Sequence, residues 1–241
     1  MQVYWLEQAA ADVPANTGWL SLDEAAHFNA LRFEKRRADW LLGRWTAKRA
    51  LAAYLSSRAD VTSLADLEIR PEPSGAPRAL LDGDPAPATI SLSHRDGRAI
   101  CAVAPAGVQL GCDLEVVEPR GEAFADDYFT AGEQAALAQS PPQDRDATLT
   151  VLWSAKESVL KALQLGLRVD TREVTVDIAG SPRHTHDQTW HPLRAGRGAD
   201  LFHGWWQDDG ALVRTVVSAP ATTTPLVLKL AQTGGTGFPL Y

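Results

Sequence analysis

Val108-Gln109-Leu110-Gly111-Cys112-Asp113-Leu114-Glu115 reads as a β-strand, and its reading decides the class of the fold. Val108, Leu110, Cys112 and Leu114 fall on one face; Gln109, Gly111, Asp113 and Glu115 fall on the other, which is the period of two that a strand imposes. The strand therefore packs through its apolar face and carries two acids on the opposite one, with α-carbons roughly 7 Å apart. Like charges so placed repel, and an apolar setting makes them costly unless a cation neutralises them. Oxygen-only ligands would favour Mg²⁺ or Mn²⁺ over zinc. A strand end with two solvated acids is the plainer alternative.

Further along, Trp153-Ser154-Ala155-Lys156-Glu157-Ser158-Val159-Leu160-Lys161-Ala162 has helical spacing. Trp153, Glu157 and Lys161 recur at i, i+4 and i+8 and share a face. An ordinary Glu–Lys pair on a solvated helix would explain that pattern too, at roughly a few tenths of a kcal/mol. Against it stands the neighbourhood, with a tryptophan on the same face, a second lysine at 156 and a serine at 158. Asp113, Glu115 and Glu157 with Lys161 form a set suited to a divalent cation that grips a phosphate-bearing substrate.

Outward from these two stretches, α and β signals mix. Val3 to Leu6 reads as a strand. Ser21 and Asp23 can cap a helix over about Glu24 to Ala30, and a longer helix covers about Phe33 to Leu55. On that helix Arg37, Arg44 and Lys48 lie at i, i+7 and i+11, a cationic stripe that suits a ligand or plain solvent. Strands follow over Leu67 to Arg70, Thr89 to Ser93 and Ala99 to Ala104, with a Pro/Gly-rich loop at Pro71 to Pro77. A tight turn at Pro105 to Val108 would set Cys101 opposite Cys112. Thr130-Ala-Gly-Glu133 matches a capping box, and a helix over about Asp146 to Leu163 ends near Gly166. Arg172 to Ile178, Leu201 to Trp206 and Leu212 to Ser218 read as strands, the last two joined over Asp208-Asp209-Gly210. The tail from Pro220 is Thr/Pro/Gly-rich and expected to be loosely held. No sequence period is visible. The element order nevertheless permits two similar α+β halves, 1–106 and 107–220, followed by a tail over 221–241.

Composition narrows the function. The chain has 241 residues, 45% of them apolar and 22% charged, with only two cysteines and a net charge of −7. That acidity argues against nucleic acid as the main partner, and an anionic ligand must be held by local cations or a bound metal. No apolar run reaches membrane-spanning length, and the N-terminus lacks a secretion-signal pattern, so a cytoplasmic location is expected. The two cysteines read as small apolar core residues. Ser91-Leu92-Ser93-His94 closes a strand with hydroxyl, imidazole and backbone donors that could meet a phosphate. No Walker or dinucleotide glycine loop occurs, nor Gly-x-Ser-x-Gly or His-Glu-x-x-His. His184, His186 and His191 lie in a loop-like stretch without cysteine and do not read as a zinc site.

Taken in order, these motifs resemble those of the larger, surfactin-synthetase-activating (Sfp) type of 4′-phosphopantetheinyl transferase. Gly75-Ala76-Pro77 stands for the family's Gly-Lys-Pro, Ser93-His94 for its Ser-His, and Gly111 to Glu115 for its Gly-x-Asp-x-Glu. Trp153 to Lys161 stands for Trp-x-x-Lys-Glu-Ser/Ala-x-x-Lys, and Leu41-Leu42-Gly43-Arg44 looks like its early helix; together the matches span about 36 to 166. The resemblance implies two α+β subdomains related by a pseudo-twofold, with coenzyme A in the cleft between them. It implies transfer of the phosphopantetheine arm to a serine of an apo acyl or peptidyl carrier protein, with release of 3′,5′-ADP. Asp113, Glu115 and Glu157 would hold Mg²⁺ (or Mn²⁺); Glu157, or a water it orients, would take the serine proton; Lys161, with Lys156 nearby, would meet the leaving phosphate. Ser93 and His94 would sit at the 3′-phosphate, Gly75 and Pro77 at the adenine, and Arg37 and Arg44 on phosphate oxygens. Ala76 replaces the usual lysine, and Arg78 is a candidate substitute. A monomer is expected, because one chain supplies both halves. A silent relative that only binds coenzyme A or a carrier, and a metal-dependent phosphohydrolase, are the competing readings.

Overall fold

The computed structural model describes residues 1–56, 61–178 and 189–230. Its elements in chain order are β1 (Tyr4–Ala9), α1 (Leu22–Ala30), α2 (Glu34–Leu55), β2 (Leu67–Pro71), β3 (Pro77–Leu81), β4 (Asp84–Pro85), β5 (Ala88–Arg95) and β6 (Arg98–Pro105). There follow β7 (Gln109–Val116), α3 (Glu122–Tyr128), α4 (Ala131–Gln139), α5 (Arg145–Ala162), β8 (Val174–Ile178), β9 (His191–Arg197), β10 (Asp200–Asp208), β11 (Leu212–Ala219) and β12 (Leu226–Val227). One sheet has the order β12-β1-β6-β5, a second β7-β11-β10-β9-β8, and a small third β2-β3-β4.

Alternation along the strands dictates the layering. In β1, Leu6 packs with Leu51, Leu55 and Cys101 beneath α2, while Trp5 turns the other way. Trp5, Ile100 and Ala102 meet Leu110, Cys112, Leu114, Leu212 and Val216, so the two large sheets share a core. In β11, Val213 and Val217 face α5 with Val151, Val159 and Leu160. The result is helix, sheet, sheet, helix, and β5 and β7 are each an edge strand of one of the two large sheets.

The chain is an α+β fold whose halves repeat a buried charge arrangement. In the first half the Ser21–Glu24 capping box starts α1; Glu24 also accepts the Ile69 N–H (3.0 Å) and pairs with Lys48 of α2. In the second, the Thr130–Glu133 box starts α4; Glu133 accepts the Val176 N–H (2.9 Å) and pairs with Lys156 of α5 at 2.8 Å. Lys48 donates to Trp19 O (2.9 Å), and Lys156 to Thr171 O (2.9 Å) and Val174 O (2.5 Å). Each lysine is fully buried and paired with a carboxylate, which is how a charge survives in a core. A pseudo-twofold at this level carries no sequence period, because only three side chains per half express it.

Several expectations need correction. β6 and β7 form no ladder: the chain crosses from one sheet to the other, so Cys101 pairs in register with Leu6 and Leu92 while Cys112 pairs with Val216. Both cysteines are free and buried, as small core residues. The segment after Pro71 is a hairpin into β3, turning at Gly75 with φ +91°. Helix α5 stops before Gly166; Gln164, at φ +57°, takes the left-handed position, and Leu165 N bonds Leu160 O at 3.0 Å. Part of the tail is anchored, since β12 pairs in parallel with β1 and Leu228 is buried. His184 and His186 lie outside the described residues; His191 stacks on Trp206 at 4.5 Å between ring centroids. Among the described residues no helix is long and apolar enough to cross a membrane.

Candidate active site

The site forms where the edge strands β5 and β7 meet the last turns of α5. Gly111 lets it form. A Cβ there would stand 1.8 Å from Ser158 O and 2.9 Å from Ala162 N, so only glycine allows α5 to lie this close to β7. The approach places Lys161 over the strand. Its Nζ donates to Asp113 Oδ1 (2.7 Å), Ser93 Oγ (2.9 Å) and Cys112 O (3.2 Å). Ser93 Oγ in turn donates to Asp113 Oδ1 at 2.8 Å. Ser91 ties the two edges together by accepting the Cys112 N–H at 2.9 Å.

Burial by itself would raise the pKa of Asp113; the Lys161 charge and the hydrogen bonds from Lys161 and Ser93 outweigh it and hold the carboxyl below its ordinary value. Lys161 is the mirror case. Burial would lower it, but Asp113, Cys112 and Glu157 together raise it. Glu157 is pushed up to about 7, first by burial and then by Asp113 and Glu115, with Lys161 opposing. Glu115 is raised by burial and by Asp113, against Arg95, Arg120 and the Trp153 hydrogen bond. The three acids therefore sense one another across the strand–helix junction.

The donor set fits a hard divalent ion. All its ligands are oxygens, and Asp113 Oδ2 is buried without a hydrogen-bond partner, an arrangement that is costly until something positive meets it. Among the described residues no three acid, histidine or cysteine side chains are gathered closely enough to hold an ion as they stand. Glu115 has both oxygens engaged, Oε1 by Trp153 Nε1 (3.2 Å) and Oε2 by Arg120 Nη2 (3.3 Å).

Beside the acids opens a cleft of about 540 Å³ lined from both halves, by Ser74 to Pro77 of the β2–β3 turn, Thr89 to Leu92, Gly107 to Leu110, and Lys161 to Gln164 with Gly166. Gly75 and Pro77 thus border it, and Lys161 joins it to the acids. Ser74 Oγ donates across its mouth to Gln164 Oε1 at 3.3 Å. His94 follows Ser93 at the open end of β5. Crowding by protein lowers its pKa, Asp39 opposes, and Lys161 and Lys35 add to the lowering.

Three residues expected at a ligand are placed elsewhere. Lys156 is buried against Glu133 and cannot reach the cleft. Arg37 donates to Phe28 O (2.9 Å) and Leu31 O (3.1 Å), closing the end of α1. Arg44 lies over Trp40 and 3.8 Å from Glu24, in a separate hollow with His27. The cationic stripe of α2 is thus turned onto α1, away from the lining of the cleft. Arg78 is exposed and faces Glu72 at 3.9 Å. Arg95 and Arg120, which grip Glu115, carry no periodic signal in sequence, and only the fold reveals them.

Residues 109–203 match the family model of the 4′-phosphopantetheinyl transferase superfamily. The chain is similar to the 4′-phosphopantetheinyl transferase HetI of Nostoc sp. strain PCC 7120, 29% identical over 164 residues, 67% of each chain. It is also similar to the 4′-phosphopantetheinyl transferase AcpT of Salmonella typhimurium, 31% identical over 52% of this chain and 58% of that one. Among solved structures, the holo-[acyl-carrier-protein] synthase of Thermotoga maritima aligns over 50% of this chain and 79% of its own, at 24% identity and a TM-score of 0.36. That of Helicobacter pylori, in complex with coenzyme A, aligns over 44% and 100%, at 17% identity and a TM-score of 0.31.

Proposed function

We propose, for a chain whose residues 109–203 match the family model of the 4′-phosphopantetheinyl transferase superfamily, that it moves the 4′-phosphopantetheine arm of coenzyme A onto a serine of an apo acyl or peptidyl carrier protein and releases 3′,5′-ADP. The observation that carries this reading is the junction of Asp113, Glu157 and Lys161 at the end of a cleft built from both halves. Relatives named as 4′-phosphopantetheinyl transferases match this chain over 67% and 52% of its length.

Phosphoryl transfer asks a protein mainly for positioning and for charge where charge develops. Asp113 Oδ2, Glu115 and Glu157 are the residues that would hold Mg²⁺, which when bound supplies the positive charge a pyrophosphate needs. Lys161 lines the cleft and is held protonated by Asp113, so it brings a fixed cation to the leaving phosphate. Asp113 is locked through Oδ1 by Lys161 and Ser93, which leaves Oδ2 as its free oxygen. Ser93 thus orients Asp113, in addition to its place beside His94 at the end reserved for the 3′-phosphate. Glu157, buried beside Asp113 and Glu115, would accept the proton of the attacking serine. Gly75 and Pro77 would border the adenine. Residues 1–106 and 107–220 would form the two halves, and one chain would suffice.

The deciding experiment incubates the chain with coenzyme A, Mg²⁺ and apo carrier proteins from fatty acid, polyketide and nonribosomal peptide systems, and reads intact mass. One phosphopantetheine gained by a carrier supports the proposal. No gain with any carrier, with coenzyme A still bound, would leave a silent relative.

A further inference from the structure

We infer that Arg120 competes with the divalent cation for Glu115 and so sets how tightly the acidic cluster takes up that cation. The inference rests on the proposed reading that Asp113, Glu115 and Glu157 hold a divalent ion.

Arg120 belongs to the short link between β7 and α3, with its guanidinium 4.6 Å from the centroid of the Phe124 ring and its side chain only 16% exposed. Nη2 stands 3.3 Å from Glu115 Oε2 and 3.8 Å from Glu118 Oε1. Arg95 repeats the arrangement from β5, 3.7 Å from Glu115 Oε2 and 2.9 Å from Glu118 Oε1. Two guanidiniums and two carboxylates therefore form one cluster. Within it, Glu115 Oε2 faces both cations while Oε1 accepts from the Trp153 indole.

A metal ion needs an oxygen of Glu115 with a free lone pair and no guanidinium against it. Each fixed positive charge at Oε2 opposes a second positive charge at the same carboxylate. Glu118 gives the cluster a second arrangement. It is half open to solvent and already touches both arginines, so when Glu115 turns to the metal neither guanidinium loses its last carboxylate. The exchange costs little because no buried charge is left alone. Glu118 and the metal are then on the same side of one balance, and Arg120 is on the other. Arg120 acts through Glu115 and is a positioning residue; it touches neither substrate nor reacting atom.

The test is Mn²⁺ uptake by the whole chain without coenzyme A, followed through the spectrum of free Mn²⁺ in electron paramagnetic resonance. Arg120→Met is expected to tighten Mn²⁺ at least about fivefold, the lower end of ordinary coupling between sites. Glu118→Gln, at an exposed position that leaves the fold undisturbed, is expected to weaken it by about twofold or more. In a Glu115→Gln background the Arg120→Met gain should vanish. An unchanged or weaker Mn²⁺ affinity in Arg120→Met overturns the inference while leaving the metal reading in place. So does an equal gain with and without Glu115, because that would be a general effect of charge. Absence of Mn²⁺ uptake by both the wild-type chain and Arg120→Met would overturn the inference and the metal reading together.

Discussion

Glu157→Gln should abolish transfer and at the same time stabilise the metal-free fold at high pH. Glu157 is pushed from an ordinary 4.5 up to about 7 because it is buried beside Asp113 and Glu115. A carboxyl whose folded pKa exceeds its unfolded one binds its proton more tightly when folded. Its contribution to stability is present below pH 4.5 and is lost as pH rises through 7. The shift of roughly 2.5 units at 1.36 kcal/mol each sets the loss at about 3 kcal/mol by pH 8. Glutamine carries no charge and escapes that loss. Urea denaturation with chelator, for wild type and variant at pH 5 and pH 8, isolates the effect, since titrating groups that do not interact with Glu157 cancel in the difference. The two chains should be nearly equal at pH 5, and the variant more stable by about 3 kcal/mol at pH 8. Added Mg²⁺ should close the gap by stabilising the wild type more. A difference that does not change between the two pH values would refute the claim that Glu157 is held among like charges.

Lys156→Met strands the Glu133 carboxylate in the core and should cost about 3–5 kcal/mol in denaturant stability, while the folded fraction keeps its KM for coenzyme A. A raised KM would return Lys156 to the ligand site. Gly111→Ala forces α5 off β7 and should cost at least about 3 kcal/mol, or leave no folded product, as read by circular dichroism and melting. Gln164→Gly removes a side chain from the left-handed position and should raise the melting temperature, by up to about 1 kcal/mol in stability; a lower melting temperature would mean that the link to Ser74 outweighs the strain. Asp113→Ala should reduce the transfer rate and its Mg²⁺ dependence together, and an unchanged metal titration would remove Asp113 from the ligand set.

Local sequence determined what the site-bearing elements are. The alternation of 108–115 specified β7 and the face bearing Asp113 and Glu115. The Ser21–Glu24 and Thr130–Glu133 boxes marked two helix starts, and the spacing of Trp153, Glu157 and Lys161 put them on one side of α5. These are short-range facts, set by backbone periods of 2 and 3.6 residues. Tertiary structure decided which of those faces meet. Lys156 and Lys161 are both basic residues of one motif, yet they lie about 140° apart around the helix, and packing sends one into the core against Glu133 and the other to Asp113. Arg44 and Lys48 look like a ligand stripe until α1 supplies Glu24 beneath them. Arg95 and Arg120 reach Glu115 from separate segments that no periodicity relates. Burial, pairing and pKa depend on neighbours distant along the chain, and a linear pattern records only the neighbours within a few residues.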